Sequence, residues 1–391
     1  MTSNPPSGAS LPAPPDPADL DTAAFVDAHA ESRKTYGRFN LGIIGGTGVG
    51  KSSLVNAVFG RDLARVGKGL PVTAGVDYYH DGALGIWDFE GFEIGSTKTP
   101  AEMLHENLQT IAKRPPEEQI SVVWYCIAST AYRLTQPEIE MIRELHASGL
   151  PVILVLTKVE WSRNRITGKL SPSKDVAEFR DWLEHPVDHE GNPFYLPVQR
   201  VMLTSAVGRD GKGVGHGLSE LVVETLALSP DSTKDAFRVA QRLNLPWKRE
   251  MARSVIGAAA AAAAATAAIP FPVADATTLA PIQLTMMGRI AAIYELDLAS
   301  MMSVSAIAQF SAQVAGQALA RSFIKLIPGA GSMVNASVAG ALTYATGEAW
   351  IKLCEQVHTG KIDLANVANA WGSFAPSVFN ALTGFIQQKK S

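Results

Sequence analysis

A glycine-rich loop between residues 45 and 52 constrains the fold of this chain more than any other segment. The run Gly45-Gly-Thr-Gly-Val-Gly-Lys-Ser52 fits the pattern GxxxxGK[ST]; an apolar run beginning at Phe39 precedes it, and a helical stretch, Lys51–Phe59, follows. In this strand–loop–helix context glycines let backbone N–H groups turn inward around phosphate oxygens, and the helix N-terminus adds partial positive charge. The segment therefore predicts a phosphate-binding loop.

Two side chains of this loop are predicted to act directly on a bound phosphate chain. Lys51 can bridge the β- and γ-phosphates, and the Ser52 hydroxyl can bind Mg²⁺. The alternative, a glycine-rich turn without a ligand, is disfavoured because both flanking elements have the required type. The other predicted phosphate-binding residues are Gly45, Gly46, Thr47, Gly48, Val49, Gly50 and Ser53.

Short apolar runs alternate with helical stretches through about the first 230 residues, which predicts a mostly parallel α/β sheet with helices on both faces. One link differs, because Asp81-Gly82 favours a tight antiparallel hairpin between its flanking strands. The predicted strands are the run from Phe39, Val76–His80, Ala83–Asp88, Ile120–Ile127, Val152–Leu156 and Val201–Leu203. The predicted helices between them include Ala101–Ala112, Gln136–Ala147, Pro172–Leu183 and Leu218–Leu228.

The chain changes character after about residue 230. Strand patterns stop, Ala258–Ala265 is an unbroken alanine run, and charged residues, which make up 18% of the whole chain, become rare. Asp231–Arg253 reads as one charged helix, and further helical segments are expected around 281–296 and 299–325. We predict a disordered Pro-rich tail at 1–20, an α/β domain with an N-terminal helix at 21–230, and an Ala-rich all-α domain at 231–391.

Composition excludes several classes of function. The net charge of −3 gives no basic balance for nucleic acid, so no nucleic-acid partner is predicted. Cys126 and Cys354 are the only cysteines, which excludes a disulfide framework and favours a reducing cytosol. The eight histidines show no paired metal-ligand spacing, so no zinc site is predicted.

Two further segments are candidates for contacts with Mg²⁺ and the γ-phosphate. Asp88 ends the second hairpin strand, where its carboxylate can hold a Mg²⁺-bound water, and the N–H of Gly91 can meet the γ-phosphate. Thr73 lies in Arg61–Gly75, a stretch with several Gly and Pro residues that we expect to be mobile. It is the best candidate for a second Mg²⁺ ligand that senses the γ-phosphate. The alternatives are a surface aspartate in a turn for Asp88 and a threonine in a flexible loop for Thr73.

Two strand ends carry residues suited to a guanine base. Thr157-Lys158-Val159-Glu160 follows the strand Val152–Leu156. Its Glu160 carboxylate can accept from N1–H and N2–H₂ of guanine, a donor pair that adenine lacks, while the Lys158 stem lies along the base. Ser205-Ala206 follows the last strand and can present a backbone N–H to guanine O6. A solvated loop with a casual Lys–Glu pair is the alternative for the first segment.

In order and spacing, these segments resemble the five G motifs of the TRAFAC-class P-loop GTPases, especially the Era-like, septin-like and immunity-related groups. The resemblance covers about residues 38–228 and implies a G domain that binds GTP or GDP with Mg²⁺ and hydrolyses GTP to GDP and phosphate. The region from about residue 250 resembles the Ala-rich C-terminal domain of bacterial GTPases related to YcjF. The matching G segments are Gly45–Ser53, Pro71–Thr73, Asp88–Gly91, Thr157–Glu160 and Ser205-Ala206.

Two departures from the family pattern bear on activity. The fourth motif usually reads Asn-Lys-x-Asp, whereas this chain has Thr157 and Glu160. Many relatives place a water-orienting Gln after the glycine of the third motif, whereas this chain has Phe92, which cannot hydrogen-bond water. Either Glu90, Glu93 or a partner's group must take that role. We expect slow basal turnover, stimulated by a partner or by a homodimer formed across the nucleotide face.

The all-α domain admits two interpretations. Ser254–Ala274 is uncharged over a length that can span a bilayer, yet it is mostly alanine and contains Pro270 and Pro272. In 299–325, polar residues recur every four positions, as in a helix that lies on a bundle core, a partner helix or a membrane surface. A soluble Ala-rich bundle is one interpretation; a domain that binds a membrane surface or a protein effector through 235–391 is the other.

These features predict a cytoplasmic GTP-binding switch, free in the cytoplasm or peripheral to the inner membrane, whose helical domain passes on the nucleotide state. The alternative is a membrane-acting or scaffolding protein that binds nucleotide for assembly and barely hydrolyses it.

Overall fold

The computed structural model describes residues 23–60, 70–73, 76–89, 98–163, 166–208, 214–268, 276–296 and 332–363. Its contacts divide the chain into two compact units. The α/β unit is Arg33–Trp247, and the helical unit joins residues 1–32 to residues 248–391. The predicted disordered tail at 1–20 lies outside the described residues.

The helices of the described chain follow in order. They are α1 Ala23–Tyr36, α2 Lys51–Phe59, α3 Pro100–Ala112, α4 Gln136–Ala147, α5 Lys174–Glu184, α6 Leu218–Leu228, α7 Asp231–Ala240, α8 Leu245–Ala268, α9 Ala276–Ile293 and α10 Ser332–His358. Capping boxes start α3 and α4, where Thr99 and Thr135 each exchange hydrogen bonds with the glutamate three residues later. Five helices of the α/β unit, α2 to α6, match their predicted spans within about two residues, as expected for amphipathic segments.

The strands of the main sheet are β1 Phe39–Ile44, β2 Leu70–Thr73, β3 Val76–Asp81, β4 Leu84–Phe89, β5 Val122–Ala128, β6 Val152–Thr157 and β9 Arg200–Leu203. Their order is β2-β3-β4-β1-β5-β6-β9. The five strands from β4 to β9 in that order are parallel, and β2 and β3 are antiparallel to their neighbours. Every residue of β1 and β6 is buried, which is the pattern of a parallel sheet covered on both faces.

Two short hairpins stand apart from this sheet. β7 (Trp161–Arg163) pairs with β8 (Leu170–Pro172), and β10 (Ser205–Val207) pairs with β11 (Val214–His216). The first hairpin follows the end of β6 and the second follows the end of β9. Neither was predicted, because three-residue strands carry almost no periodicity.

The predicted fold class is confirmed. The Asp81-Gly82 hairpin is present, with β3 and β4 antiparallel and Gly82 at φ 57°. The chain adds one further edge strand, β2, within the stretch Arg61–Gly75 that was predicted to be mobile. Residues 70–73 pair with β3, residues 61–69 and 74–75 lie outside the described chain, and the mobility of the stretch stays a prediction.

The prediction of a single helix over Asp231–Arg253 is wrong, because a turn interrupts the helix between α7 and α8. The Gln241 side chain satisfies the turn, because it accepts from the N–H of Asn244 and donates to two carbonyl groups. Pro246 then occupies the first turn of α8, where its missing N–H costs nothing. Phe237 on α7 packs against Phe39 with ring centroids 4.7 Å apart, which explains why α7 groups with the α/β unit rather than beyond the predicted boundary at residue 230.

Helix α1 contributes its first part to the helical unit rather than to the predicted α/β domain. The Phe25 ring is fully buried and meets the Trp350 ring edge-on at 6.3 Å. The His29 Nε2 lies 3.2 Å from the carbonyl oxygen of Leu296. Gly288 on α9 allows this approach, because a Cβ there would lie 2.2 Å from the carbonyl oxygen of Phe25.

Helices α8 and α10 are joined by paired charges and by small residues. The Arg249 and Arg253 guanidinium groups each make two hydrogen bonds, to the Glu355 and Glu348 carboxylates respectively. Gly347 faces α8, where an added Cβ would lie 2.5 Å from Ile256. This close approach fits the bundle interpretation of the Ala-rich region.

Alanine substitutions at two glycines in these helices should change the free energy of unfolding in opposite directions. Among the residues that the structure describes, none has an atom within 4 Å of a Cβ added at Gly257 on α8, so Gly257→Ala should raise the free energy of unfolding by about 0.5–1 kcal/mol through helix propensity. In Gly347→Ala the new methyl group would clash with Ile256, so this substitution should lower the free energy of unfolding by about 1–3 kcal/mol. Urea unfolding followed by circular dichroism measures both, and equal effects of the two substitutions would contradict the packing of α8 on α10.

Candidate functional site

The predicted site loops lie along one edge of the sheet. β1, β4, β5, β6 and β9 are parallel, so their carboxyl ends, where α/β sheets bind ligands, meet at the same edge. Asp88 pairs in register with Ile43, which sets it beside the start of the glycine-rich loop. The charges of Lys51 and Asp88 both influence the pKa of the buried thiol of Cys126 in β5, where Lys51 lowers it and Asp88 raises it.

The glycine-rich loop needs its glycines for backbone conformation and for close packing. Gly45, Gly48 and Gly50 have φ values of 149°, 76° and 111°, which favour glycine. A Cβ at Gly45 would lie 2.3 Å from the carbonyl oxygen of Cys126, so the loop can pass this close to β5 only with glycine. Gly50 precedes α2 without a side chain to cap it, which leaves the first N–H groups of the helix available to an anion.

Lys51 is held inside the loop. Its side chain is 6% exposed, and its ammonium donates a hydrogen bond of 2.9 Å to the carbonyl oxygen of Gly45. Ser52 and Ser53 are exposed at the start of α2. A cation is thus positioned where the helix N-terminus and the loop amides converge, which is an arrangement suited to phosphate.

Thr157 and Lys158 tie the end of β6 to this loop. The buried Thr157 hydroxyl donates to the carbonyl oxygen of Val49 at 2.5 Å, and the Lys158 ammonium donates to that of Gly48 at 2.6 Å. Lys158 has a φ of 56°, a left-handed conformation that is uncommon outside glycine. These observed contacts hold the loop in place; the predicted contacts of both residues with a guanine base remain predictions.

The ends of β6 and β9 are also joined to each other. The Val159 N–H donates to the carbonyl oxygen of Thr204 at 3.0 Å, and the Thr204 N–H donates to that of Leu156 at 2.7 Å. Thr204 is fully buried. Three loops that are distant in sequence are therefore fixed in one framework at the sheet edge.

A cavity of about 1020 Å³ opens beside this framework. The predicted residues that line it are Gly50, Ser53, Thr157, Lys158, Glu160, Ser205 and Ala206. Its volume is at the upper end of the range for small-molecule sites. The predicted base-binding segments after β6 and β9 thus face one space, beside the start of α2.

Three predicted residues cannot be placed fully. The backbone of Thr73 ends β2, but its side chain lies outside the described part of the structure, as does Gly91. The same holds for Phe92 and for both glutamates considered as water-orienting groups. Asp88 is half-buried at the end of β4.

The oxygen-bearing side chains at the site suit a Mg²⁺ ion that is shared with a nucleotide rather than an ion held by protein ligands alone. No group of three or more His, Cys, Asp or Glu side chains gathers as a metal site within the described residues. Mg²⁺ in nucleotide sites takes one or two protein oxygens together with phosphate oxygens and water. The Ser52 hydroxyl and the Asp88 carboxylate supply oxygen donors of that kind.

Cys126 has no catalytic character. The residue is 1% exposed within β5, and burial raises the pKa of its thiol to about 12. It remains protonated at neutral pH and cannot serve as a nucleophile.

Sequence reasoning missed two aromatic residues of the cavity, Trp161 and His216. They belong to the two unpredicted hairpins, and their ring centroids lie 5.9 Å apart. The adjacency of Trp161 to Glu160 was the one available signal.

Two family models match parts of the chain. Residues 40–158 match the model described as 50S ribosome-binding GTPase, and residues 232–371 match the domain of unknown function DUF697. The probable GTP-binding protein EngB of Mycoplasmopsis agalactiae is 26% identical over 166 residues, which cover 42% of this chain and 80% of EngB.

Solved structures of GTP-binding proteins also align with this chain. A variant of Era from Aquifex aeolicus bound to GDP and aluminium fluoride aligns with a TM-score of 0.30 at 20% identity, over 58% of this chain and 67% of Era. Toc33 from Arabidopsis thaliana in complex with Mg²⁺ and GMPPNP aligns with a TM-score of 0.30 at 18% identity, over 56% of this chain and 95% of Toc33.

Proposed function

Because the chain carries a P-loop GTPase domain followed by a domain of the DUF697 family, we propose that it is a GTP-dependent switch whose helical domain passes on the nucleotide state. The observation that carries this proposal is the cavity at the sheet edge. There the phosphate loop and the loops after β6 and β9 are held together by the hydrogen bonds of Thr157, Lys158 and Thr204. A preformed framework of this kind binds its ligand without first paying the entropy of ordering three loops.

In this proposal, the loops after β6 and β9 recognise guanine. The Glu160 carboxylate lines the cavity and accepts from N1–H and N2–H₂, and a backbone N–H at Ser205-Ala206 meets O6. Glutamate is one methylene longer than the aspartate of most relatives and keeps the acceptor pair. Thr157 and Lys158 act by orienting this edge, in keeping with their contacts to Val49 and Gly48.

The phosphate end of the nucleotide is held by the glycine-rich loop in the same proposal. Lys51 leaves the Gly45 carbonyl for the β- and γ-phosphates, Ser52 and Thr73 provide oxygen ligands for Mg²⁺, and Asp88 acts through a bound water. When bound, Mg²⁺ neutralises the charge that builds up on the phosphates. The N–H of Gly91 meets the γ-phosphate, which links hydrolysis to the segment after β4.

Basal hydrolysis is slow in this account, because Phe92 stands where many relatives place a water-orienting Gln. A partner, or a second copy across the nucleotide face, supplies the missing group and raises the rate. GTP turnover per molecule, measured in Mg²⁺ over a hundredfold range of protein concentration, tests this. We expect a slow rate that rises with concentration or on addition of a partner; fast turnover independent of concentration would contradict it.

The role of the helical domain is the other part of the proposal. No helix in the described parts of the chain is both long enough and apolar enough to cross a bilayer. We propose a cytoplasmic protein whose helical domain contacts a protein effector or the inner-membrane surface, and the polar stripe predicted in 299–325 lies outside the described residues. Liposome flotation with GDP and with a non-hydrolysable GTP analogue separates the two: flotation only with the analogue supports the membrane, and none in either state supports a protein effector.

A further inference from the structure

We propose that Trp161 and His216 form an aromatic wall of the nucleotide cavity, in which Trp161 both contacts the nucleoside and donates its indole N–H to it. This inference deepens the proposed guanine-nucleotide function and rests on it. The two residues come from different hairpins, β7–β8 and β10–β11, and both line the cavity.

The chain geometry ties each aromatic ring to a predicted base-binding residue. Trp161 directly follows Glu160, and His216 is the register partner of Ser205 in the β10–β11 ladder. The two rings lie 5.9 Å apart at an angle of 59°. The segments that would bind the base edge therefore carry two inclined aromatic rings beside them, and aromatic rings hold bases and sugars by stacking or edge contacts.

The indole N–H of Trp161 has a further property that points to a ligand. Its Nε1 atom is buried, and no acceptor among the described residues lies within hydrogen-bonding distance. Indole nitrogen only donates, and a buried donor left without an acceptor is unfavourable. Other tryptophans satisfy their indole N–H, as Trp87 does with the carbonyl of Glu118 and Trp182 with that of Val187.

A nucleoside would provide the hydrogen-bond acceptor that the Trp161 indole N–H lacks among the described residues, and a ring for the two aromatic side chains to contact. Guanine and ribose offer oxygen and nitrogen acceptors, and the purine ring offers a face or an edge to the indole and imidazole. The wall would thus add affinity for the nucleoside half of GDP and GTP, independently of the phosphate contacts made by Lys51.

The test is the Kd for GDP of the full chain and of Trp161→Phe, which keeps an aromatic ring but removes the N–H. We expect Trp161→Phe to raise the Kd about 5- to 10-fold and Trp161→Ala or His216→Ala to raise it further, by about 10- to 100-fold for the tryptophan. Trp182→Phe is the matched control, because the indole N–H of Trp182 already donates to the carbonyl oxygen of Val187, and this substitution should leave the Kd unchanged. Quenching of tryptophan fluorescence by GDP should be lost in Trp161→Phe alone.

The outcomes separate this inference from the function on which it rests. Wild-type binding of GDP with an unchanged Kd in Trp161→Phe and unchanged quenching would overturn the wall and leave the GTPase proposal standing. Absence of GDP binding by the wild-type chain would overturn both. Circular dichroism of each variant confirms that a weaker Kd does not come from unfolding.

Discussion

Replacing Lys51 with alanine is expected to lower the affinity for GTP by about 100-fold or more while leaving the fold intact. Lys51 is buried in the glycine-rich loop, 2.9 Å from the carbonyl oxygen of Gly45, at the N-terminus of α2. In the proposed complex the Lys51 ammonium would pair with the β- and γ-phosphates, and removing one partner of such a buried, hydrogen-bonded charge pair costs about 2–5 kcal/mol, which corresponds to this loss. Fluorescent-nucleotide titration in Mg²⁺ measures the change.

The fold should survive this substitution because the loop has other attachments. Thr157 and Lys158 still bond the carbonyls of Val49 and Gly48, and alanine is a favourable residue in the first turn of α2. Lys174→Ala is the matched control, since Lys174 is an exposed lysine at the start of α5 that pairs with surface Glu178. Equal GTP affinities of Lys51→Ala and wild type would show that the loop does not hold the phosphates.

Replacing Phe25 with alanine is expected to lower the free energy of unfolding of the helical unit by about 3–5 kcal/mol. Phe25 is fully buried against Trp350, although the two residues lie at opposite ends of the chain. The helical unit is thus completed by a segment that precedes the α/β unit in the chain. Urea unfolding monitored by circular dichroism and limited proteolysis between residues 248 and 363 measure the loss.

A surface substitution on the same helix shows whether the loss of stability comes from the packing of Phe25 or from any change in α1. Lys34→Ala changes an exposed side chain near the end of α1 and should alter stability by less than about 0.5 kcal/mol. GDP affinity should change little in Phe25→Ala, because the cavity residues belong to the α/β unit. Unchanged proteolysis and stability in Phe25→Ala would contradict the assignment of α1 to the helical unit.

The sheet and its site edge could be predicted because local patterns specify them. Buried parallel strands read as apolar runs, so β1, β5 and β6 were visible, and Asp81-Gly82 specified the hairpin of β3 and β4. Parallel strands then bring loops from residues 45, 157 and 205 to one edge without further information. The order of the motifs along the sequence was therefore enough to predict most of the residues of the candidate site.

The remaining features depend on contacts between distant residues. Trp161 and His216 meet only because two three-residue hairpins fold beside each other, and nothing in their own sequence marks them as a pair. The hydroxyl of Thr157 bonds a carbonyl 108 positions away in the chain, so its role in holding the loop could not be read locally. His29 and Leu296, which join α1 to the helical unit, are 267 positions apart.

Binding of nucleotides to the purified full chain tests the central claim most directly. Isothermal titration with GDP, GTP and ATP in the presence of Mg²⁺ should give one site per chain for GDP and GTP, with ATP at least about 100-fold weaker. That discrimination is expected because adenine has no pair of N–H donors for the two carboxylate oxygens of Glu160, which would remain without hydrogen bonds. ATP binding as tight as GTP binding, or no binding of guanine nucleotides, would contradict the account.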